Sequence, residues 1–136
     1  MKKQIRIIIV DDHQMVRETW RLLLEQDERF SIIAECSDGA EAIEAVNTHK
    51  PDIILMDINM YPVNGFDATK KIIKEIPSAR VIAMSLNNQP VYVRNMLQAG
   101  AKGYITKNSS KEEMTTAILE VHEGRQYICE EVRTKI

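Results

Sequence analysis

Ile7-Ile8-Ile9-Val10-Asp11-Asp12 and Ile53-Ile54-Leu55-Met56-Asp57 share one form, four apolar residues running into an acid. Two further stretches repeat it with other polar ends. Val81-Ile82-Ala83-Met84 runs into Ser85, and Gly103-Tyr104-Ile105-Thr106 runs into Lys107. A fifth, Ile32-Ile33-Ala34, leads to Glu35-Cys36-Ser37-Asp38 and carries no obvious chemical group. Short unbroken apolar runs are the mark of strands buried on both faces of a parallel sheet. Parallel strands all end at one edge, where open α/β sheets bind ligands. Three carboxylates, a hydroxyl and an ammonium are therefore expected to face one another there.

Between these runs the period changes to that of a helix. Val16, Trp20, Leu23 and Leu24 make one apolar stripe over His13–Glu25. Ser37-Asp38-Gly39 opens a second helix, Gly65 precedes a third that stops at Pro77, and a fourth runs from about Pro90 to Gln98. Ala99-Gly100 is a helix C-cap signal. Ser109-Ser110 followed by Glu112-Glu113 starts a fifth helix, with Met114, Ala117, Ile118 and Val121 inward and Gly124 as its stop. The fourth helix lacks a strong apolar stripe, and poor order is expected of it. The reading is α/β, a (βα)5 doubly wound parallel sheet of strand order 2-1-3-4-5. Strands one and three are neighbours at the switch point, which brings Asp11, Asp12 and Asp57 together. Residues 1–124 form one domain, and 125–136 read as the start of a linker.

The 136 residues suit one domain. Hydrophobic residues make up 44 % and charged residues 28 %, an ordinary globular balance. No apolar run reaches the ~20 residues of a membrane span, and there is no signal-peptide pattern. No membrane role and a cytoplasmic location are expected. Cys36 and Cys129 are too few for a disulfide scaffold or zinc site. A net charge of −2 without a basic block leaves no footprint for nucleic acid on this stretch of chain.

Three carboxylates within a few ångströms repel one another unless a cation neutralises them. An all-oxygen, acid-rich site suits a hard divalent ion, and Mg2+ is the usual choice where phosphate is also bound. Asp12 and Asp57 suit direct ligation and Asp11 ligation through water. A carboxylate beside such an ion can attack phosphorus and form an acyl phosphate. Transfer then depends on positioning and on neutralising three equatorial oxygens. The ion, Lys107, and the Ser85 hydroxyl or nearby backbone N–H groups can each cover one. Asp57, on the central strand, is the best nucleophile candidate.

Asp11-Asp12, Met56-Asp57-Ile58-Asn59-Met60, Gly65, Ser85, Gly103-Tyr104 and Lys107, in this order, resemble the receiver domain of two-component response regulators. Ala99-Gly100-Ala101-Lys102-Gly103-Tyr104-Ile105-Thr106-Lys107 is similar to the NarL/FixJ (LuxR-type) subfamily. The resemblance implies a flavodoxin-like fold and phosphorylation of Asp57 by a sensor histidine kinase. It implies Mg2+ held by Asp11, Asp12, Asp57 and the Asn59 carbonyl, with Lys107 and Ser85 on the phosphoryl group. Ser85 and Tyr104 become a switch pair: the hydroxyl turns to the phosphate and the ring turns inward, altering the surface of helix four, strand five and helix five. The protein is then a phosphorelay switch, not a turnover enzyme. A homodimer on phosphorylation, and DNA contact only through an output domain beyond this stretch, are further implications.

The sequence departs from the family pattern in four places. Met60-Tyr61-Pro62 stands where Met-Pro is usual, which predicts a reshaped loop. Leu86 follows Ser85 where small residues are common, which predicts restricted access to the phosphoryl group. Asn108 follows Lys107 where a proline is frequent, and Asn87-Asn88-Gln89 lacks the usual acids.

Rival readings explain less. A phosphohydrolase of the haloacid dehalogenase type needs an acid two residues after its nucleophile, where Asn59 stands. A flavin-binding module needs a phosphate loop after strand one, where Asp11-Asp12-His13 would repel phosphate. A degenerate receiver that binds partners unphosphorylated would not need every acid and Lys107. Taken alone, Asp11 and Asp38 read as helix caps, Ser85 as a turn hydroxyl, Tyr104 as a strand aromatic and Lys107 as a surface lysine. His13, His49 and His122 read as surface groups, and Met15 and Leu22 lie off the core stripe of helix one.

Overall fold

The computed structural model describes residues 3–135. Met1, Lys2 and Ile136, which fall in the expected domain and linker spans, lie outside them. Six strands form one sheet: β1 (Ile5–Val10), β2 (Phe30–Cys36), β3 (Ile53–Asp57), β4 (Val81–Ser85), β5 (Gly103–Thr106) and β6 (Tyr127–Ile128). The spatial order is β2-β1-β3-β4-β5-β6, with every pairing parallel. The connections are α1 (Gln14–Glu25), α2 (Gly39–His49), α3 (Gly65–Glu75), α4 (Pro90–Ala99) and α5 (Lys111–His122), and α6 (Glu130–Arg133) follows β6. The doubly wound sheet of order 2-1-3-4-5 is present as read.

Burial explains the unbroken apolar runs. Ile7, Ile8, Ile9 and Val10 are wholly inaccessible, as are Ile53 to Met56 and Val81 to Met84. Helices lie on both faces, so each side chain of these strands meets a helix whichever way it points. The outer strand β2 is only half-buried along its middle. On α1, Trp20 and Leu24 are buried while Met15 and Leu22 face outward, exposed by 80 % and 68 %. Asp38 caps α2 by accepting from the Glu41 amide, and Ser110 caps α5 by accepting from that of Glu113. Gly100, at φ 113°, ends α4 as its sequence foretold.

Two expectations are corrected. The fourth helix is formed over ten residues, with Val93, Met96 and Ala99 buried. The helix begins without a strong apolar stripe, yet this narrow one, at a spacing of three, seats it. The segment read as the start of a linker is folded from Tyr127 to Arg133. β6 pairs Gly103 with Tyr127 and Tyr104 with Ile128. Cys129 and Val132 are buried against the sheet. The physical reason is the edge of β5, whose N–H and C=O groups need partners.

Gly65 ties α3 to the acidic edge. A Cβ built there would stand 2.0 Å from the Asp57 carbonyl oxygen and 2.9 Å from the Ile58 Cα. Its own N–H donates to the Ile58 carbonyl at 2.8 Å. Backbone cannot yield as a side-chain tip does, so Gly65→Ala is expected to lose about 3 kcal/mol of stability. Urea denaturation checks this, and a loss within measurement error would show that α3 can shift freely against β3.

Candidate functional site

Register brings the strand-end groups together. Asp57 pairs with Met84 and Ser85 with Thr106, so Asp57, Ser85 and Lys107 follow one another across three adjacent strands. Asp11 follows β1 directly. Asp11 is wholly buried and Asp57 is 2 % exposed, whereas Asp12 is exposed. Lys107 reaches both buried acids, its Nζ 2.7 Å from Asp11 Oδ2 and 3.2 Å from Asp57 Oδ1. Asp57 Oδ1 also accepts from the Asn59 amide at 3.3 Å. Asp57 Oδ2 is buried and has no hydrogen-bond partner.

The charges account for the titration of the pair. Burial, and then the charge of Asp11, push the Asp57 carboxyl up to about 6 against the pull of Lys107. Burial draws the Lys107 ammonium down, but Asp11 and Asp57 outweigh it, and its pKa lies above the ordinary lysine value. One ammonium serves two buried carboxylates, with Asp12 close by. The site is short of positive charge.

Oxygens of Asp11, Asp12 and Asp57 and a ring nitrogen of His13 all lie within 4.8 Å of one another. Hard carboxylate donors and an orphaned buried oxygen fit a hard divalent ion. His13 was read as a surface group. Its side chain is exposed, yet Nδ1 lies 2.9 Å from Asp12 Oδ1 and 3.2 Å from Asp11 Oδ1. Arg17 was not singled out, although its Nη1 donates to the Asp11 carbonyl at 2.6 Å and its Nε lies 3.4 Å from Glu35. It fixes the turn between β1 and α1. Asp11 also accepts from the His13 amide at 2.9 Å, which closes the turn ahead of α1, but the helix has no side-chain cap, so Asp11 does not act as one.

Ser85 and Tyr104 are both fully buried. Ser85 Oγ accepts from the Asn87 amide at 2.9 Å, and the Tyr104 hydroxyl donates to the Asn87 carbonyl at 2.8 Å. The Tyr104 carbonyl accepts from the Cys129 amide of the folded C-terminal segment at 2.9 Å. Burial raises the Tyr104 phenol, with the Ser85 hydroxyl acting the other way. Asn59 is exposed beside Asp57. Among the described residues the cis peptide is Tyr61–Pro62, in the loop with the unusual spelling; the Lys107–Asn108 bond is not cis.

The family model described as the response regulator receiver domain matches residues 7–119. The chain belongs to the response regulator receiver domain family. It is 38 % identical over 127 residues to the transcriptional regulatory protein DegU of Brevibacillus brevis, covering 93 % of this chain and 54 % of that protein. It is 34 % identical to the oxygen regulatory protein NreC of Staphylococcus epidermidis, covering 97 % of this chain and 61 % of that one. The chain thus spans little more than half the length of these relatives.

Among solved structures, a LuxR-family two-component response regulator from Aurantimonas sp. SI85-9A1 superposes with a TM-score of 0.95 at 31 % identity, covering 98 % and 96 % of the two chains. The signal receiver domain of the response regulator NarL from Mycobacterium tuberculosis gives 0.86 at 30 % identity, covering 91 % and 100 %. The receiver is of the NarL/LuxR type. Receiver domains bind Mg2+ at an acidic pocket, and Asp11, Asp12 and Asp57 form such a pocket here. No helix among the described residues is long and apolar enough to cross a membrane.

The repulsion stored at Asp57 has a measurable consequence. A carboxyl with its folded pKa raised to about 6 binds its proton more tightly folded than unfolded. Its cost to stability is therefore absent below the unfolded value near 4 and grows as pH rises through 6. The full cost of such a shift is about 3 kcal/mol, and screening at the site reduces it. Asp57→Asn is expected to stabilise the metal-free protein at neutral pH by about 1–2 kcal/mol. That gain should vanish toward pH 4. Thermal denaturation across pH checks it, and a variant less stable than wild type at pH 7 would contradict it.

Proposed function

We propose that this receiver takes a phosphoryl group from a phosphohistidine of a sensor histidine kinase onto Asp57. The observation that carries the reading is the state of the Asp57 carboxylate. Lys107 and the Asn59 amide hold one oxygen, and the other is buried and unpartnered. The free oxygen, Oδ2, attacks phosphorus, the P–N bond to the kinase imidazole breaks, and the imidazole nitrogen takes up a proton from water as it leaves. Mg2+ held by Asp11, Asp12, Asp57 and the Asn59 carbonyl supplies charge neutralisation to the transferring oxygens.

The rest of the site positions and reports. Lys107, fixed by Asp11, contacts one phosphoryl oxygen. Ser85 contacts another by turning its hydroxyl away from the Asn87 amide. Phosphorylation adds ≈ −1.5 to −2 charge and three strong acceptors, so these donors gain partners. The site acts once per phosphoryl group and resets by its own hydrolysis, so the protein is a switch and not a turnover enzyme.

The curated relatives carry names of transcriptional and oxygen regulators, and this chain spans only part of their length. Control of a DNA-binding output domain is part of this reading, supported by that likeness, and a cytoplasmic location goes with it. A homodimer on phosphorylation remains part of the same reading.

Intact mass after incubation with acetyl phosphate tests the proposal. One phosphoryl adduct that requires Mg2+ and is lost in Asp57→Asn is expected. An adduct retained in that variant would overturn it.

Leu86 sets a second expectation. It is 69 % exposed and lines a groove of about 590 Å3 with His13, Trp20 and Lys107. Attacking water must pass this apolar rim. Leu86→Ala should speed loss of the phosphoryl group about threefold to tenfold, worth at most ~1.4 kcal/mol of barrier. A fast loss unchanged by the variant would contradict the gating role.

A further inference from the structure

The folded C-terminal segment is tied to the switch residues by a continuous chain of polar contacts. The Glu131 carboxylate accepts from Asn88 Nδ2 at 2.7 Å and from Thr106 Oγ1 at 2.9 Å. Both hydrogen bonds hold Glu131 below the usual carboxylate range. Asn88 adjoins Asn87, whose amide donates to Ser85 Oγ and whose carbonyl accepts from Tyr104. Two loop residues between β4 and α4 thus join Ser85, Tyr104 and Glu131. Behind Glu131, the Cys129 amide donates to the Tyr104 carbonyl at 2.9 Å, and the Tyr127 amide to that of Lys102 at 3.1 Å. Cys129 and Val132 seal the apolar side.

We propose that β6 and α6 form a latch over β5, held shut by Glu131 on Asn88 and Thr106 and opened when a phosphoryl group at Asp57 draws Ser85 away from Asn87. The inference rests on Asp57 being the phosphoacceptor. Its trigger is hydrogen-bond exchange. When Ser85 Oγ turns to donate to the phosphoryl group, the Asn87 amide loses its acceptor. An unpaired, half-buried N–H is costly, so the loop moves to re-pair it. Asn88 moves with its neighbour and leaves Glu131.

The design of the latch suits release. Glu131 sits at the rim, where water replaces lost donors at small cost. β6 has only two residues, and α6 has four. Such short elements depend on their tethers for order. The Tyr104 ring is fully buried with its hydroxyl on the Asn87 carbonyl, so a loop that moves also frees the ring. The loop and the latch are the parts held by few contacts.

Amide hydrogen exchange of the whole chain tests this, with and without beryllofluoride and Mg2+ as the phosphoryl mimic. Amides of Tyr127, Cys129, Val132 and Arg133 should exchange about tenfold faster with the mimic, while those of β1 and β3 keep their protection. Glu131→Ala should show the fast exchange with no mimic present. Unchanged protection in 127–133 with the mimic bound, or in Glu131→Ala, would overturn the latch. Binding of the mimic is read separately from Trp20 fluorescence. Absence of both binding and an acetyl phosphate adduct would overturn the phosphoacceptor reading, and the trigger with it, while Glu131→Ala still judges the contact itself.

Discussion

One ammonium between two buried carboxylates organises this molecule. Lys107 lies within ion-pair distance of Asp11 and Asp57, and neither acid is open to solvent. Burying a carboxylate costs several kcal/mol unless it is paired and hydrogen-bonded. A single cation cannot fully serve two such groups. The fold tolerates this because the remainder of the sheet is apolar and tightly covered. Stability supplied by the strands is spent on a site that is left short of positive charge. That shortage suits the edge to a divalent cation.

Supporting residues keep the edge in shape. Arg17 pins the Asp11 carbonyl from α1. Gly65 lets α3 press on the backbone of Asp57 and Ile58. The Asn87–Asn88 loop holds Ser85 and Tyr104 in one arrangement. Local backbone and side-chain bonds, not a large interface, define the resting state. Those few hydrogen bonds link Ser85, through Asn87 and Asn88, to Glu131 beyond β5.

Much of this could be read from residue order. Strands buried on both faces leave continuous apolar runs, and their C-terminal neighbours are the site by topology alone. The strand ends bring Asp11, Asp57, Ser85 and Lys107 to one edge, as their place in the sequence predicts, whereas Tyr104, inside β5, stands out only by resemblance to the family. Residues that act by the reach of a long side chain are not legible in this way. Arg17 and Glu131 lie on helices whose docking cannot be seen in one dimension, and His13 differs from an ordinary surface histidine only by the acids it meets. β6 escaped because two residues cannot show a period. Its place is set by the exposed edge of β5, a tertiary cause.

Phosphorylation of the buried, half-satisfied Asp57 carboxylate can be tested at the level of the bond itself. Borohydride reduction of the phosphorylated protein converts an acyl phosphate to an alcohol, and peptide sequencing then locates it. Homoserine in place of aspartate at position 57 is expected. Homoserine at position 11 or 12, or a phosphate ester on Ser85, would contradict it.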